Sequence, residues 1–342
     1  MSIVETPVDP SDDVGPPSPL RRVVAFITSQ QVILLVVLVA VMFFFDFHNS
    51  RFFTTPEFSN LIVDFCEAVL IAVAETYVII SGGIDLSVGS TIAISGVAGA
   101  YVIQNLENHH FGELGSLIIG ALACAGVGAI VGIINAILIT KARLVPFVAT
   151  LVTLSAGEGL ALVFSKGAQV GYDPSASVWS ATGFWIFTWL SVMVLVITAI
   201  LGVVLHVSRY GRYNFAIGSN PFAARAAGIN VNRHVASVYI LSGMLAGLTG
   251  MLYYFRTGGG APTSGVGLEL EAIAAVVIGG ASLFGGVGRF TGTLLGVAIL
   301  TVVNDGLTFI NVAVTWNEVV VAAFIALAAV LQSISSGSRK QL

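Results

Sequence analysis

Residues 60–104 read NLIVDFCEAVLIAVAETYVII, then SGGIDLS, then VGSTIAISGVAGAYVIQ. Two apolar runs flank a break rich in glycine. The first is about as long as the roughly 20 residues a straight helix needs to cross a bilayer, and the second is shorter. Three carboxylates, Asp64, Glu67 and Glu75, interrupt the first run. At about 100° per residue, Glu67 lies roughly 60° from Asp64 and Glu75 roughly 20° from it, so all three share one stripe of a helix. A carboxylate facing lipid is costly, so the stripe should face protein or water, or begin the span in the outer interface. No Lys or Arg lies in the run to pair with it. Glu75 is the deepest and is expected at a cavity or an interhelical hydrogen bond.

The rest of the chain repeats this pattern. Of 342 residues, 56% are hydrophobic and only 9% are charged. A soluble domain carries roughly 25% charged residues, so the bilayer is the solvent here. The expected fold is all-α and integral to a membrane. Its apolar segments lie at 23–45, 60–80, 88–104, 116–139, 146–164, 186–206, 235–254, 269–282, 290–310 and 316–334, about ten transmembrane helices. Those at 88–104 and 269–282 are the shortest and stand beside glycine-rich breaks. Broken helices at membrane depth survive only where protein or a water-filled cavity covers them. That favours a pathway over an anchor.

Residues 1–22, rich in Pro, Asp and Ser, are expected to form a disordered tail. Residues 23–336 are expected to form one transmembrane domain, and 337–342 a second tail. With the N-terminus inside and the spans alternating, eleven cationic residues fall inside and three (Arg51, Lys166, Arg256) outside. Both termini are therefore expected in the cytoplasm.

The longest inside loop, 207–234, holds four arginines. Asn220-Pro221-Phe222-Ala223-Ala224-Arg225-Ala226-Ala227-Gly228 reads as a short helix within it. Asn220 caps it, Pro221 takes its first position and Gly228 ends it. A helix this short is marginal alone in water. It is either a solvated connector or a docking helix for a cytoplasmic partner.

Other polar residues recur in the spans. In the ninth, Thr293, Thr301, Asn304 and Thr308 share a face, with Asp305 beside them. An acid near a span centre is rare, so Asn304 and Asp305 join Glu67 and Glu75 as candidate pathway residues. Asn135 and the threonines read as glue between helices. Gly128-x-x-x-Gly132, Gly243-x-x-x-Gly247 and Gly292-x-x-x-Gly296 allow close helix approach.

Several classes are excluded. The net charge is -4 and no basic stretch occurs, which argues against nucleic-acid binding. No P-loop, H-E-x-x-H or G-x-S-x-G occurs, and Gly286-Val287-Gly288 follows no strand. Cys66 and Cys124 read as small core residues, and His109-His110 as a solvated pair. Nothing in the chain looks catalytic.

Three segments carry a resemblance. They are Gly82-Gly83-Ile84-Asp85-Leu86-Ser87-Val88-Gly89-Ser90; Gly211-Arg212-Tyr213 through Ala216-Ile217-Gly218-Ser219-Asn220 to Gly228-Ile229-Asn230-Val231; and Glu269-Leu270-Glu271 through Ile278-Gly279-Gly280 to Gly285-Gly286. In this order and spacing, with Pro146-Phe147-Val148-Ala149-Thr150-Leu151 as a fourth match, they resemble the ribose/galactoside-type sugar permeases of bacterial ATP-binding-cassette (ABC) importers. The likeness covers about residues 60–335. It implies the vitamin B12-type (type II) importer permease fold. It implies a non-catalytic subunit in the cytoplasmic (inner) membrane that imports a monosaccharide or related polyol. The implied partners are a second copy or sister permease, cytoplasmic ATPase subunits that bind ATP and Mg, and a periplasmic or lipid-anchored sugar-binding protein. No cofactor is expected on this chain itself. Asn220 to Gly228 matches the family's coupling helix. Two positions depart from the family pattern: Val152 stands where Gly is frequent, and Glu158 precedes Gly159 where Arg is frequent. Within the first motif, Asp85 is expected to cap the helix that follows it. The alternative class is an ion-gradient-driven secondary transporter using the acidic stripe.

Overall fold

The computed structural model describes residues 30–171, 178–179 and 181–313, together with 315, 316, 319, 320, 322, 323 and 326. The two tails, most of the last expected span, Arg21, Arg22, Arg339 and Lys340 lie outside the described residues. Eleven helices are formed among those described. They are α1 (Gln30–His48), α2 (Thr55–Ile80), α3 (Val88–Asn108), α4 (Glu113–Thr140), α5 (Pro146–Ser165), α6 (Trp189–Val207), α7 (Arg209–Ser219), α8 (Pro221–Ala226), α9 (Val231–Thr257), α10 (Leu268–Ile278) and α11 (Phe290–Phe309). A small hairpin, β1 (Gly183–Phe184) with β2 (Phe187–Thr188), precedes α6. Thr188 caps α6 by accepting from the Ser191 N–H.

Six helices, α1, α4, α5, α6, α9 and α11, are long and apolar enough to cross a membrane. The other three membrane-length or motif-bearing elements differ for separate reasons. The 26-residue α2 carries four acids, Glu57, Asp64, Glu67 and Glu75. The expectation of a short α3 is corrected, because it continues to Asn108 and has 21 residues. The 11-residue α10 is the short one and spans only about 16 Å.

The middle of the bundle is built by α2 and α9. Every residue of α2 from Val69 to Ile80 is buried, as expected for a helix surrounded by protein on all sides. By contrast, α1 and α5 leave long apolar side chains exposed, including Phe43, Phe44, Val152 and Val163. The two glycine pairs of α4 and α9 face one another. A Cβ at Gly128 would collide with the Gly243 carbonyl, one at Gly243 with the Gly128 carbonyl, and one at Gly247 with the Cys124 carbonyl. In the third glycine spacing, Gly292 and Gly296 of α11 lie against the backbone of Gly279 and Ala275. These spacings bring main chains into contact, which is how helices associate when lipid is as apolar as leucine.

The inside loop holds a second helix besides the expected one. Before α8 it forms α7, which tucks Gly211, Asn214 and Ile217 inward and exposes Arg212 and Tyr213.

Candidate functional site

The glycine break at the end of α2 is a closed turn. Gly82 N–H donates to Ile79 O and Gly83 N–H to Val78 O, at 2.9 and 3.0 Å, with Gly82 at φ +86°. The chain then turns through Asp85, which is fully buried. Its role differs slightly from the expected helix cap. The N-cap of α3 is Ser87, and Asp85 lies two residues upstream. Asp85 Oδ1 accepts from the Ser87 N–H (3.0 Å) and the Ser87 hydroxyl (2.6 Å). Its Oδ2 accepts from the Ser242 hydroxyl of α9 (2.8 Å). The network continues outward. Asn135 Nδ2 of α4 donates to Ser87 Oγ (2.8 Å), and the Thr153 hydroxyl of α5 donates to Asn135 Oδ1 (2.6 Å). One buried polar chain thus joins α9, the 81–87 turn, α4 and α5. Asn135 is glue, as its lone position suggested.

The acidic stripe of α2 divides into two environments. Glu75 is completely buried, and the Asp85 backbone N–H is the polar group set against its carboxylate. Its acidic neighbours are Asp85 and Glu269. Glu269 lies in the first turn of α10 and rests on the first turn of α3, where a Cβ at Gly89 would strike its carboxylate. Free N–H groups and the helix dipole favour negative charge there. Gly89 of the first motif and Glu269 of the third therefore meet. Glu158 of α5 is close enough to Glu269 for the two charges to repel.

Asp64 and Glu67 do have a cation, supplied by another helix. Arg256 of α9 pairs with Asp64 and, at 2.9 Å, with Glu67. Asp305 of α11 lies beside Asp64, and Asn304 Nδ2 donates to Glu271 Oε1 of α10 at 2.7 Å. Three helices, α2, α10 and α11, thus gather four carboxylates at this end of the bundle, and α9 supplies the guanidinium that pairs with two of them. Glu67, Asn304 and Asp305 are brought together here, and Glu75 is not among them. No group of three or more His, Cys, Asp or Glu among the described residues is placed to hold a metal ion.

The short helix of the inside loop is present as read. Asn220 Oδ1 accepts from the Phe222 and Ala223 N–H groups, both at 3.0 Å, and Gly228 follows at φ +83°. Pro221, Phe222, Ala223 and Arg225 are exposed, and Ala224 packs inward against Ile217 and Val231. The preceding α7 is anchored to α2 by Asn214, whose Nδ2 donates to Tyr77 O at 2.8 Å. Asn214 Oδ1 also faces His234 Nε2 at 3.2 Å. Gly218 lies so close to α2 that a Cβ would overlap the Ile80 carbonyl. Gly285 and Gly286 close the joint from the α10–α11 loop. Gly286 N–H donates to Ile80 O (2.9 Å), Gly285 packs on Gly82, and Gly286 packs on Ser219. Both have positive φ, +84° and +72°. Gly280, also at positive φ (+93°), sits against the Gln30 side chain. Gly83 abuts the Tyr239 hydroxyl.

Reading the sequence alone missed Arg256 as the partner of Asp64 and Glu67, Glu269 as the neighbour of Glu75, and Ser242 and Asn214 as anchors. Each lies more than 100 residues from that partner. Helical periodicity carries no signal for such pairs. The segments themselves did stand out, because the three motif stretches contain Glu269, Gly218 and Gly285-Gly286.

Comparison with known proteins gives the family. Residues 58–329 match a family described as the branched-chain amino acid transport system / permease component. The ribose import permease protein RbsC of Escherichia coli (strain K12) is 38% identical over 286 residues, 82% of this chain and 86% of that protein. RbsC of Bacillus subtilis (strain 168) is 37% identical over 282 residues, 77% and 80% of the two chains. The galactose/methyl galactoside import permease protein MglC of E. coli (strain K12) is 32% identical over 307 residues, 86% and 91%. No solved structure matches the chain. The match runs from the first turn of α2 to beyond α11 and takes in every glycine joint described above, so this chain belongs to that family of multi-pass membrane permease components.

Proposed function

We propose that this chain is the permease subunit of an ABC importer for a monosaccharide or related polyol. A substrate-binding protein delivers the sugar, and separate ATPase subunits that bind ATP and Mg drive the cycle. The chain itself binds no cofactor and catalyses no reaction. Its full complement is ten transmembrane helices in the vitamin B12-type arrangement, with both termini cytoplasmic. It works beside a second copy or a sister permease.

The observation that carries this reading is the capped, exposed α8. A six-residue helix cannot persist alone in water. This one is held by Asn220, by Ala224 packed inward, and by the joint at Gly218. Its outward face presents Phe222 and Arg225. The relatives named for ribose and galactoside import give the substrate class. A binding protein supplies the affinity for sugar, so the pathway needs only sparse polar groups. Glu67, Glu75, Asn304 and Asp305 are the candidates. ATP-driven closure of the ATPase pair pushes α8, and the spans rock about the joint to open the pathway alternately to each side.

The test is to tag the chain, extract it in mild detergent from its native membrane, and identify what co-purifies. The expected result is a P-loop ATPase, lost in the Phe222→Ala, Arg225→Glu double variant while the spans remain folded. A chain purified alone that drives gradient-dependent uptake in liposomes without ATP would overturn this reading in favour of a secondary transporter.

A further inference from the structure

The loop between α10 and α11 carries Phe284 at its tip, 83% exposed, and Val287, 53% exposed. This is not a slack connector. Ser282 N–H donates to Val287 O (2.9 Å), Gly285 N–H to Ser282 O (2.9 Å) and Phe284 N–H to Ser282 Oγ (3.2 Å). The loop is therefore a closed turn that holds its aromatic outward. Its base is fixed to α2 through Gly286 N–H and Ile80 O, and to the end of α7 through Gly218 and Ser219. The next residue after Ser219 is Asn220, the cap of α8. Phe284 and Phe222, which is 77% exposed, thus project from two segments joined at one backbone contact.

The charges around this joint have one sign. The inside loop 207–234 holds Arg209, Arg212, Arg225 and Arg233 and no acid, and Arg289 follows the 282–287 turn. Two exposed aromatics in a basic surround fit a partner with an apolar groove and an acidic rim. We propose that the 282–287 turn and α8 form one composite docking surface for the cytoplasmic ATPase subunit, with Phe284 as its second anchor. This rests on the importer reading above. It extends that reading, because the turn belongs to the α10–α11 segment, and a push on the surface reaches α2, α7 and α11 together.

The test uses the importer complex purified with the ATPase that the wild-type chain retains, placed in nanodiscs. Phe284→Ala should speed ATPase dissociation by about tenfold, the scale of a central interface anchor. Phe222→Ala with Phe284→Ala should speed it by about the product of the single effects. A photo-crosslinking benzoylphenylalanine at position 284, which keeps the aromatic and the fold, should capture the ATPase on illumination. A wild-type dissociation rate for Phe284→Ala, or crosslinks from position 284 to lipid or the permease alone, would overturn the proposal and leave the importer reading intact. Failure of the wild-type chain to retain any ATPase would overturn both.

Discussion

The two ends of α2 are held in opposite ways. At the Asp64 end, side chains do the holding: Arg256 reaches two carboxylates, Asp305 crowds beside them, and Asn304 ties Glu271. At the Ile80 end, main chain touches main chain, with Gly218, Gly285 and Gly286 packed where no side chain fits. Side-chain pairs can part and re-form as rotamers change. A backbone joint with no room for a Cβ has one geometry and moves as a body. The comparison assigns flexibility to the carboxylate end and rigid transmission to the glycine end.

The largest expected effect tests the rigid end. Gly218→Val would press branched carbon into the Ile80 carbonyl, with backbone on both sides and nothing free to rotate. Overpacking of this kind costs about 3 kcal/mol, and thermal unfolding in detergent should show a large loss. A near-wild-type melting temperature would mean the joint is looser than described. Asp85→Ala comes next. It leaves the Ser87 N–H and the Ser87 and Ser242 hydroxyls without their acceptor in a buried site, at about 2 kcal/mol. Asp85→Asn keeps one acceptor oxygen for Ser87 and should lose less than half of that. Folded yield is the readout, and transport per folded molecule should be retained. Equal yields with transport abolished would move Asp85 from a structural to a pathway role.

The flexible end should respond less. Arg256→Ala leaves buried Glu67 beside Asp64 without its cation. Because Arg256 is about half exposed, water screens part of the change, and a loss of about 1–2 kcal/mol is expected. Adding Glu67→Gln should restore much of it, since the surplus charge is then gone. A double-mutant cycle on unfolding midpoints measures this. Additive losses would show that Arg256 acts through packing alone.

The legible part of this molecule is what local pattern encodes. Apolar run length marks the six long apolar helices, and Asn220, Pro221 and Gly228 set the ends of α8, because capping depends on residues two or three apart. The glycine spacings mark α4 and α9 for close approach, but not that they approach one another. The acidic stripe was legible as a stripe but not as two sites. Periodicity puts Asp64, Glu67 and Glu75 on one face, yet Arg256 is about 190 residues away from the first two, and Glu269 is as far from Glu75. The helix α7 has no apolar run to mark it; its inward residues are chosen by packing, Gly211 against Leu205 of α6, Asn214 against Tyr77 of α2 and Ile217 against Ala224 and Val231.

The smallest effect separates anchoring from transmission. Asn220→Ala removes one oxygen that accepts from two N–H groups at the start of α8. Loss of such a cap costs about 1 kcal/mol. Asn220 is exposed, so global unfolding should barely change, and the cost should fall on the order of α8 alone. If α8 and the glycine joint transmit force as one body, a frayed α8 should still bind the ATPase weakly while ATP hydrolysis loses its stimulation by the loaded binding protein. The ratio of sugar moved to ATP hydrolysed should then fall, with basal hydrolysis unchanged. A variant that loses ATPase binding and stimulation in equal proportion would show that α8 only anchors, and that the rigid end of α2 receives its push elsewhere.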